Sequence, residues 1–493
     1  MNASNLRVKL FAAALTAVTT LSAHAAVDLI AIGSISGSYE DLSSQTAAPL
    51  ENGVAGNRLG GLGSGLAYAG GDTFLALPDR GPNAVPYDSN IDDTVSYIVR
   101  FQTFKFSLAP NPDYHSSDPT SLPFVLTPTL RNTTLLSSLT PLVYGSGVGL
   151  NENDGTPIGS GAPALNSRFV HYFTGRSDNF DPAKPSTNPN DARLDSEGIR
   201  VSNDGLSVFI SDEYGPYVYQ FNRFTGQRIR TFALPANLAI TQLSPQSAVE
   251  IASNPVGRVT NKGMEGLAIT PDGSMLVGIM QAALEQDKKG SLRIVTIDIR
   301  TGATHEYAYQ LTDGSGASEI VAVNSHQFLV DERDGTGRGD TPLLTDTASA
   351  ATVKKLYLID LNGAQDVTNV TAPVGKKIDL SSFAVPKTEF LDIVAELKGA
   401  GMDAFLIPSK IEGVAFGQDV VIDGQTKHTL YVANDNDFLA TIADPLKGPS
   451  DPTRGMVPNP NQFFVFAFGD GDLPGYVPQR ITARPLLECG LGQ

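Results

Sequence analysis

Three Glu-Gly steps, Glu197-Gly198, Glu265-Gly266 and Glu412-Gly413, each open a short apolar run, and Glu319 opens a weaker copy, Glu319-Ile-Val-Ala-Val. If such phrases are the blades of a ring, residues at matching places point at one axis. Carboxylates gathered there repel one another unless a cation sits among them. Oxygen-only donors suit Ca²⁺ or Mg²⁺ and not zinc. Glu197, Glu265, Glu412 and Glu319 are therefore candidate ligands of a divalent cation, with Ca²⁺ the expected ion. The alternative for each is a hydrogen bond to a neighbouring phrase, which would staple the ring.

A second polar set follows the next apolar run of each phrase: Asp79-Arg80, Asp212-Glu213, Asp331-Glu332-Arg333 and Asn434-Asp435-Asn436-Asp437. A phosphate ester needs cations for its oxygens and a positioned water. Arg80 and Arg333 can grip phosphate bidentately, and a carboxylate-held divalent ion can polarise the ester and acidify bound water. The candidate catalytic set is Asp212, Arg80, Arg333 and Asp435. Any one of these alone reads equally well as a solvated turn; recurrence at equivalent places lifts the set above that.

The elements that must position these groups are short strands. Asp195-Ser-Glu-Gly-Ile-Arg-Val-Ser, Asn-Asp-Gly, Leu206-Ser-Val-Phe-Ile-Ser-Asp-Glu reads as strand, turn, strand. The phrase recurs around Pro271-Asp-Gly and, with Ile411-Glu-Gly-Val-Ala-Phe-Gly and Thr429-Leu-Tyr-Val-Ala, a third time. Weaker copies begin at Gly65 and Glu319. Asp-Gly between apolar runs predicts type I′ hairpins, in which both central residues take φ > 0. Outer strands follow at Tyr217–Phe221, Leu292–Asp298, Lys355–Leu361 and Phe463–Phe468. Recurrent four-stranded antiparallel units predict an all-β fold, a β-propeller of six blades with long rim loops. Five phrases are visible; the sixth comes from Ser167–Phe173, or the ring closes by pairing Val27–Ile32 with C-terminal strands. A β-sandwich is the rival architecture, since it too has short, regularly spaced strands. One helix is expected, Glu389–Lys398, as a surface insertion with Phe390, Ile393, Val394 and Leu397 on one face.

Composition agrees and excludes much. With 48 Gly and 32 Pro in 493 residues the chain is turn-rich, and a net charge of −17 argues against nucleic acid as a partner. A single cysteine, Cys489, excludes an internal disulfide framework and a CxxC metal or redox site. His115, His171, His305, His326 and His428 share no motif. There is no G-x-S-x-G elbow, H-E-x-x-H, phosphate-binding P-loop or EF-hand loop, so serine-hydrolase chemistry is disfavoured. Met1–Ala25 reads as a signal peptide: Arg7 and Lys9, the apolar Leu10–Val18, then Ala23-His24-Ala25 before the cleavage point. No later segment is apolar enough to span a bilayer. The expected organisation is a leader of residues 1–25 and one propeller domain of residues 26–493, periplasmic or secreted.

Read in order, Leu77-Pro-Asp-Arg-Gly-Pro-Asn, Asp195-Ser-Glu-Gly-Ile, Ser211-Asp-Glu-Tyr-Gly-Pro-Tyr, Asn261-Lys-Gly-Met-Glu-Gly-Leu-Ala, Lys410-Ile-Glu-Gly-Val-Ala and Asn434-Asp-Asn-Asp-Phe resemble the phytase-like family, whose domain is named for an esterase-like activity of phytase. The resemblance runs from about Gly60 to Phe438. It implies a secreted propeller and phosphoric-ester hydrolase chemistry on a small phosphorylated substrate, but brings no catalytic residue set. The alternative is a non-enzymatic propeller of the bacterial envelope that binds a ligand or protein on one rim, since one fold hosts many functions.

Overall fold

The computed structural model describes residues 27–82, 94–145, 161–482 and 484. The expected leader and its cleavage point, Cys489, and residues 151–160 of one rim loop lie outside the described residues.

Among the described residues, five antiparallel sheets of four strands each form the molecule. From inner to outer strand, blade 1 is Gly65–Tyr68, Thr73–Leu77, Arg100–Pro110 and Phe124–Leu135. Blade 2 is Ser196–Val201, Ser207–Asp212, Tyr217–Asn222 and Arg228–Phe232. Blade 3 is Met264–Ile269, Met275–Met280, Ser291–Asp298 and Thr304–Gln310. Blade 4 is Gly316–Ala322, Gln327–Arg333, Lys354–Asp360 and Lys387–Asp392. Blade 5 is Lys410–Phe416, Gln425–Asp435, Asn461–Phe468 and, last, the N-terminal strand Asp28–Ile35; the short Val420–Ile422 pairs off its second strand. Each inner strand packs against those of two neighbours, and blade 1 meets blade 5, closing the ring.

The blade count is five, not six. Ser167–Phe173 supplies only the two-residue strand His171–Tyr172, paired with Ser137–Ser138, far short of the four strands of about five residues a blade requires. The other expectation holds: Asp28–Ile35 pairs antiparallel with Asn461–Phe468, so the two ends of the ring share one blade. Such closure removes free sheet edges.

The apolar sequence pattern explains the packing. Inner strands such as Met264–Ile269 are buried at every position, because both faces lie against adjacent blades. Five apolar clusters fill the five blade interfaces. Phe209, Val218 and Phe232 meet Leu267 and Leu276 between blades 2 and 3, and Phe74, Phe104 and Phe106 meet Tyr431 and Phe463 between blades 1 and 5. The expected helix is half strand: Glu389–Asp392 ends the outer strand of blade 4, and the helix is Ile393–Gly399. Asp392 fixes its start by accepting the Ala395 N–H at 3.0 Å. It is no surface insertion, since Ile393, Val394 and Leu397 join the core between blades 4 and 5.

The inner hairpins are not type I′. Gly205 has φ +70° but Asp204 stays at negative φ, and the Ser202–Ser207 connection is longer than two residues. Asp204 instead accepts the Leu206 N–H at 3.0 Å. The two-residue form does occur at Asp423-Gly424, φ +51° and +76°, between Val420–Ile422 and its partner.

Candidate functional site

Bulges in the inner strands aim the site residues. Ile411 pairs with Asn434 and Gly413 with Ala433, which leaves Glu412 as an extra, unpaired residue. Glu265 is extra between Met264 and Gly266, and Glu197-Gly198 together oppose Ser211. Bulges commonly re-aim a side chain in this way. The glycine after each glutamate is needed because the next blade comes too close for a side chain: a Cβ on Gly198 would lie 2.6 Å from the Leu267 Cβ, and one on Gly266 2.7 Å from the Glu319 Cα.

Blade 4 departs from this pattern. Its extra residue is Ser318, between the paired Ala317 and Glu319. Ser318 thus stands where blades 2, 3 and 5 carry Glu, and Glu319 where they carry Gly. Glu319 accepts the Leu267 and Ile320 N–H groups at 3.0 and 2.9 Å and pairs with Arg200 at 2.9 Å. It staples the ring, and it does not line the cavity that Glu197, Glu265 and Glu412 share. Burial pushes its carboxyl up to about 7 against the opposing pull of Arg200.

That cavity, of about 270 Å³, opens at one end of the axis and is walled by Asp79, Arg80, Glu197, Glu213, Glu265, Arg333, Lys410, Glu412 and Asp435, with Asn261, Lys262, Gln281 and Ser318. Six of the eight sequence candidates, all but Glu319 and Asp212, therefore flank one space. Three cations in the wall are already engaged. Arg80 pairs with Asp195 and Asn261, Arg333 with Glu412, and Lys410 with Asp437 and, at 2.8 Å, Asp435. Asn261 and Asp437 hold left-handed backbone, φ +57° and +52°, a conformation Asn and Asp tolerate. Arg200, outside this wall, donates to the Leu66, Ile199 and Ile320 carbonyls at 2.7, 2.6 and 2.9 Å. Arg200 lines a separate pocket of about 70 Å³.

The remaining carboxylates crowd together. Oxygens of Asp79, Asp195 and Glu197 lie within 4.8 Å of one another, as do those of Glu197, Glu213 and Glu265. Burial, then the charges of Glu265, Asp195 and Glu213, hold Glu197 well above the usual carboxylate range. Burial and then Glu213 raise Glu265 in the same sense, and burial and then Asp195 push Glu213 up to about 7. Asp79 is raised by burial and then Asp435. Glu265 accepts the Gln281 amide on one oxygen at 2.6 Å, while its other oxygen is buried without a hydrogen-bond partner. Glu197 makes no hydrogen bond among the described residues. All donors are oxygens, several anionic, and one is orphaned, so the cluster fits a hard divalent cation.

Asp212 is placed elsewhere. Its Oδ1 accepts the Asp195 and Tyr214 N–H groups at 3.1 and 3.0 Å, and it lies outside the cavity wall. Its neighbour Glu213 takes the cavity position, accepting the Gly263 N–H at 2.7 Å. Sequence reasoning placed Asp79 and Glu213 in the second polar set and not among the cation ligands, and it missed Asp195 as a member of the cluster and Lys410 as the partner of Asp435. Each stands within two residues of a residue it did single out.

With the geometry in hand, comparison with known proteins gives a consistent result. One curated relative, an uncharacterized secreted protein of Arthroderma benhamiae, is 29% identical over 496 residues, covering 88% of this chain and 86% of the relative. Among solved structures, a gluconolactonase of Xanthomonas campestris is 12% identical over 90% of this chain and 96% of its own, with a TM-score of 0.28. The periplasmic gluconolactonase of Pseudomonas aeruginosa is 13% identical over 82% and 88%, also at 0.28. Scores this low carry no argument about activity. No helix among the described residues is long and apolar enough to cross a membrane. The family model for phytase-like proteins, described as the esterase-like activity of phytase, matches residues 57–438, a span that contains every residue of the cavity wall, and the chain belongs to that family.

Proposed function

We propose that this chain is an exported hydrolase of phosphoric esters, assisted by a divalent cation and working in the axial cavity. The observation that carries the reading is the cavity wall itself: crowded buried carboxylates and two guanidinium groups around one space. The family's description and the secreted relative support it. Asp79, Glu197, Glu213 and Glu265 would hold the cation, with Ca²⁺ favoured by the oxygen-only donors. When bound, such an ion polarises the ester and lowers the pKa of water.

The chain's own groups divide the remaining work. Arg80 and Arg333 each have five N–H donors and spend only part of them on Asp195, Asn261 and Glu412. The rest face the cavity and orient the phosphoryl oxygens. A carboxylate of the wall takes a proton from the attacking water as its oxygen bonds to phosphorus. The ester P–O bond breaks and the leaving oxygen gains a proton, so that ester and water become alcohol and phosphate. Asp212 and Asp435 act by positioning, the first through Asp195, the second through Lys410.

Purified protein supplied with Ca²⁺ should release phosphate from p-nitrophenyl phosphate or phytate, and Arg80→Ala should raise KM. Binding of Ca²⁺ with no phosphate release from either compound would overturn the hydrolase reading in favour of a ligand-binding propeller.

A further inference from the structure

The cavity carries more negative charge than one divalent ion can balance. Asp195, Glu412 and Asp435 are each matched by Arg80, Arg333 and Lys410. That leaves Asp79, Glu197 and Glu213 with no ion pair among the described residues, and Glu265 with Arg333 only at 4.0 Å. Four uncompensated carboxylates amount to the charge of two divalent cations. Lys262 on the rim is exposed and pairs with none of them.

The carboxylates are arranged as two groups, not as one ring. Asp79, Asp195 and Glu197 form the first, and Glu197, Glu213 and Glu265 the second. They share a single residue. Glu197 is 7% exposed, lines the cavity and makes no hydrogen bond among the described residues, so both its oxygens are available. The second group adds the buried, unpartnered oxygen of Glu265. An isolated buried carboxylate is costly unless it is protonated, paired or bound to a metal, and a carboxylate between two oxygen-rich groups is suited to bridge ions.

From this arrangement we infer that the axial cavity holds two divalent cations side by side, bridged by the Glu197 carboxylate, with Asp79 completing one position and Glu213 and Glu265 the other. The inference rests on the cation-binding part of the proposed function and not on catalysis. It names a class of ligand, a pair of hard divalent ions such as Ca²⁺, and assigns a different residue to each.

The test is calcium binding to the full mature chain after removal of metal, followed by isothermal titration with CaCl₂ and no substrate present. Glu→Gln and Asp→Asn keep shape while removing charge, and far-ultraviolet circular dichroism checks that each variant is folded. The wild-type protein should bind two more Ca²⁺ per chain than Glu197→Gln does. Asp79→Asn should weaken one of those two events at least tenfold, and Glu265→Gln the other. A difference of one ion or none between wild type and Glu197→Gln would overturn the inference, as would Asp79→Asn and Glu265→Gln weakening the same event. Because no turnover is read, absence of phosphatase activity leaves this result standing, and its failure leaves a one-cation hydrolase possible.

Discussion

Asp212 and Glu213 are adjacent in the chain yet serve different places, since the strand ends at Asp212 and Glu213 begins the turn. Asp212 turns away to hold backbone N–H groups, and Glu213 turns into the cavity. A sequence shows the pair but not the register that chooses between them. The same limit applies to Glu319, where a one-residue difference in bulge position puts Ser318 in the ligand place; aligning the phrase by its apolar residues, Ile320 with Leu267 and Val414, would have found it. Asp212, Glu213 and Glu319 are each pushed up to about 7, chiefly by burial, against about 4 in an unfolded chain. Folded values are raised, so the stability they contribute is complete below about pH 4 and is lost as pH rises through about 7. In EDTA the Tm should fall between pH 5 and pH 8, and Ca²⁺ should restore more of it at pH 8 than at pH 5, where protons compete for the same oxygens. A Tm in EDTA that climbs over this interval contradicts the assignment. For the reaction itself, Arg333→Ala should lower kcat/KM on p-nitrophenyl phosphate by roughly 10²–10³-fold, the scale of losing one preorganised donor group; an unchanged value would remove Arg333 from the site.

At the scale of elements, the Glu-Gly step joins two demands, a bulge that aims the carboxylate and a bare Cα that admits the next blade. Gly266→Ala would press a Cβ against the blade 4 backbone at 2.7 Å. Overpacking of this kind costs about 1–3 kcal/mol, measurable by urea denaturation; a neutral effect would show that the blades can separate without strain. Strand phrases and the ring-closing N-terminal strand were legible from alternation and turn residues, because an apolar run with a glycine punctuator reads the same wherever it stands. The count of blades was not. Ser167–Phe173 has strand-like residues but lacks the three partners that make a blade, and only the topology reveals that. The helix boundary was missed for a related reason: Phe390 fits a helical face by spacing, but the cap at Asp392 begins the helix at Ile393, four residues after Glu389.

Across the whole molecule, four of the five blades are tied by a single residue. Arg200 of blade 2 bonds carbonyls of blades 1, 2, 4 and 5 and the Glu319 carboxylate. Arg200→Met would leave Glu319 buried and unpaired, a loss of about 3–5 kcal/mol. The double variant Arg200→Met/Glu319→Gln should recover part of it, as a thermodynamic cycle on unfolding would show; equal stability of single and double variants would mean that the pair contributes no coupling. Ring closure predicts, further, that removing residues 27–35 exposes the Asn461–Phe468 edge and lowers the Tm sharply, whereas an unchanged Tm would place that strand outside the cooperative ring.

The proposed phosphoester hydrolysis depends on cations held in the axial cavity. It is tested most directly by the initial rate of phosphate release from p-nitrophenyl phosphate, measured with Ca²⁺, after EDTA, and after Ca²⁺ is restored. The prediction is a rate that collapses on chelation and returns with the metal in the wild-type protein, but does not return in Glu197→Gln. A full rate in EDTA, or a Glu197→Gln protein that responds to Ca²⁺ as the wild type does, would contradict it.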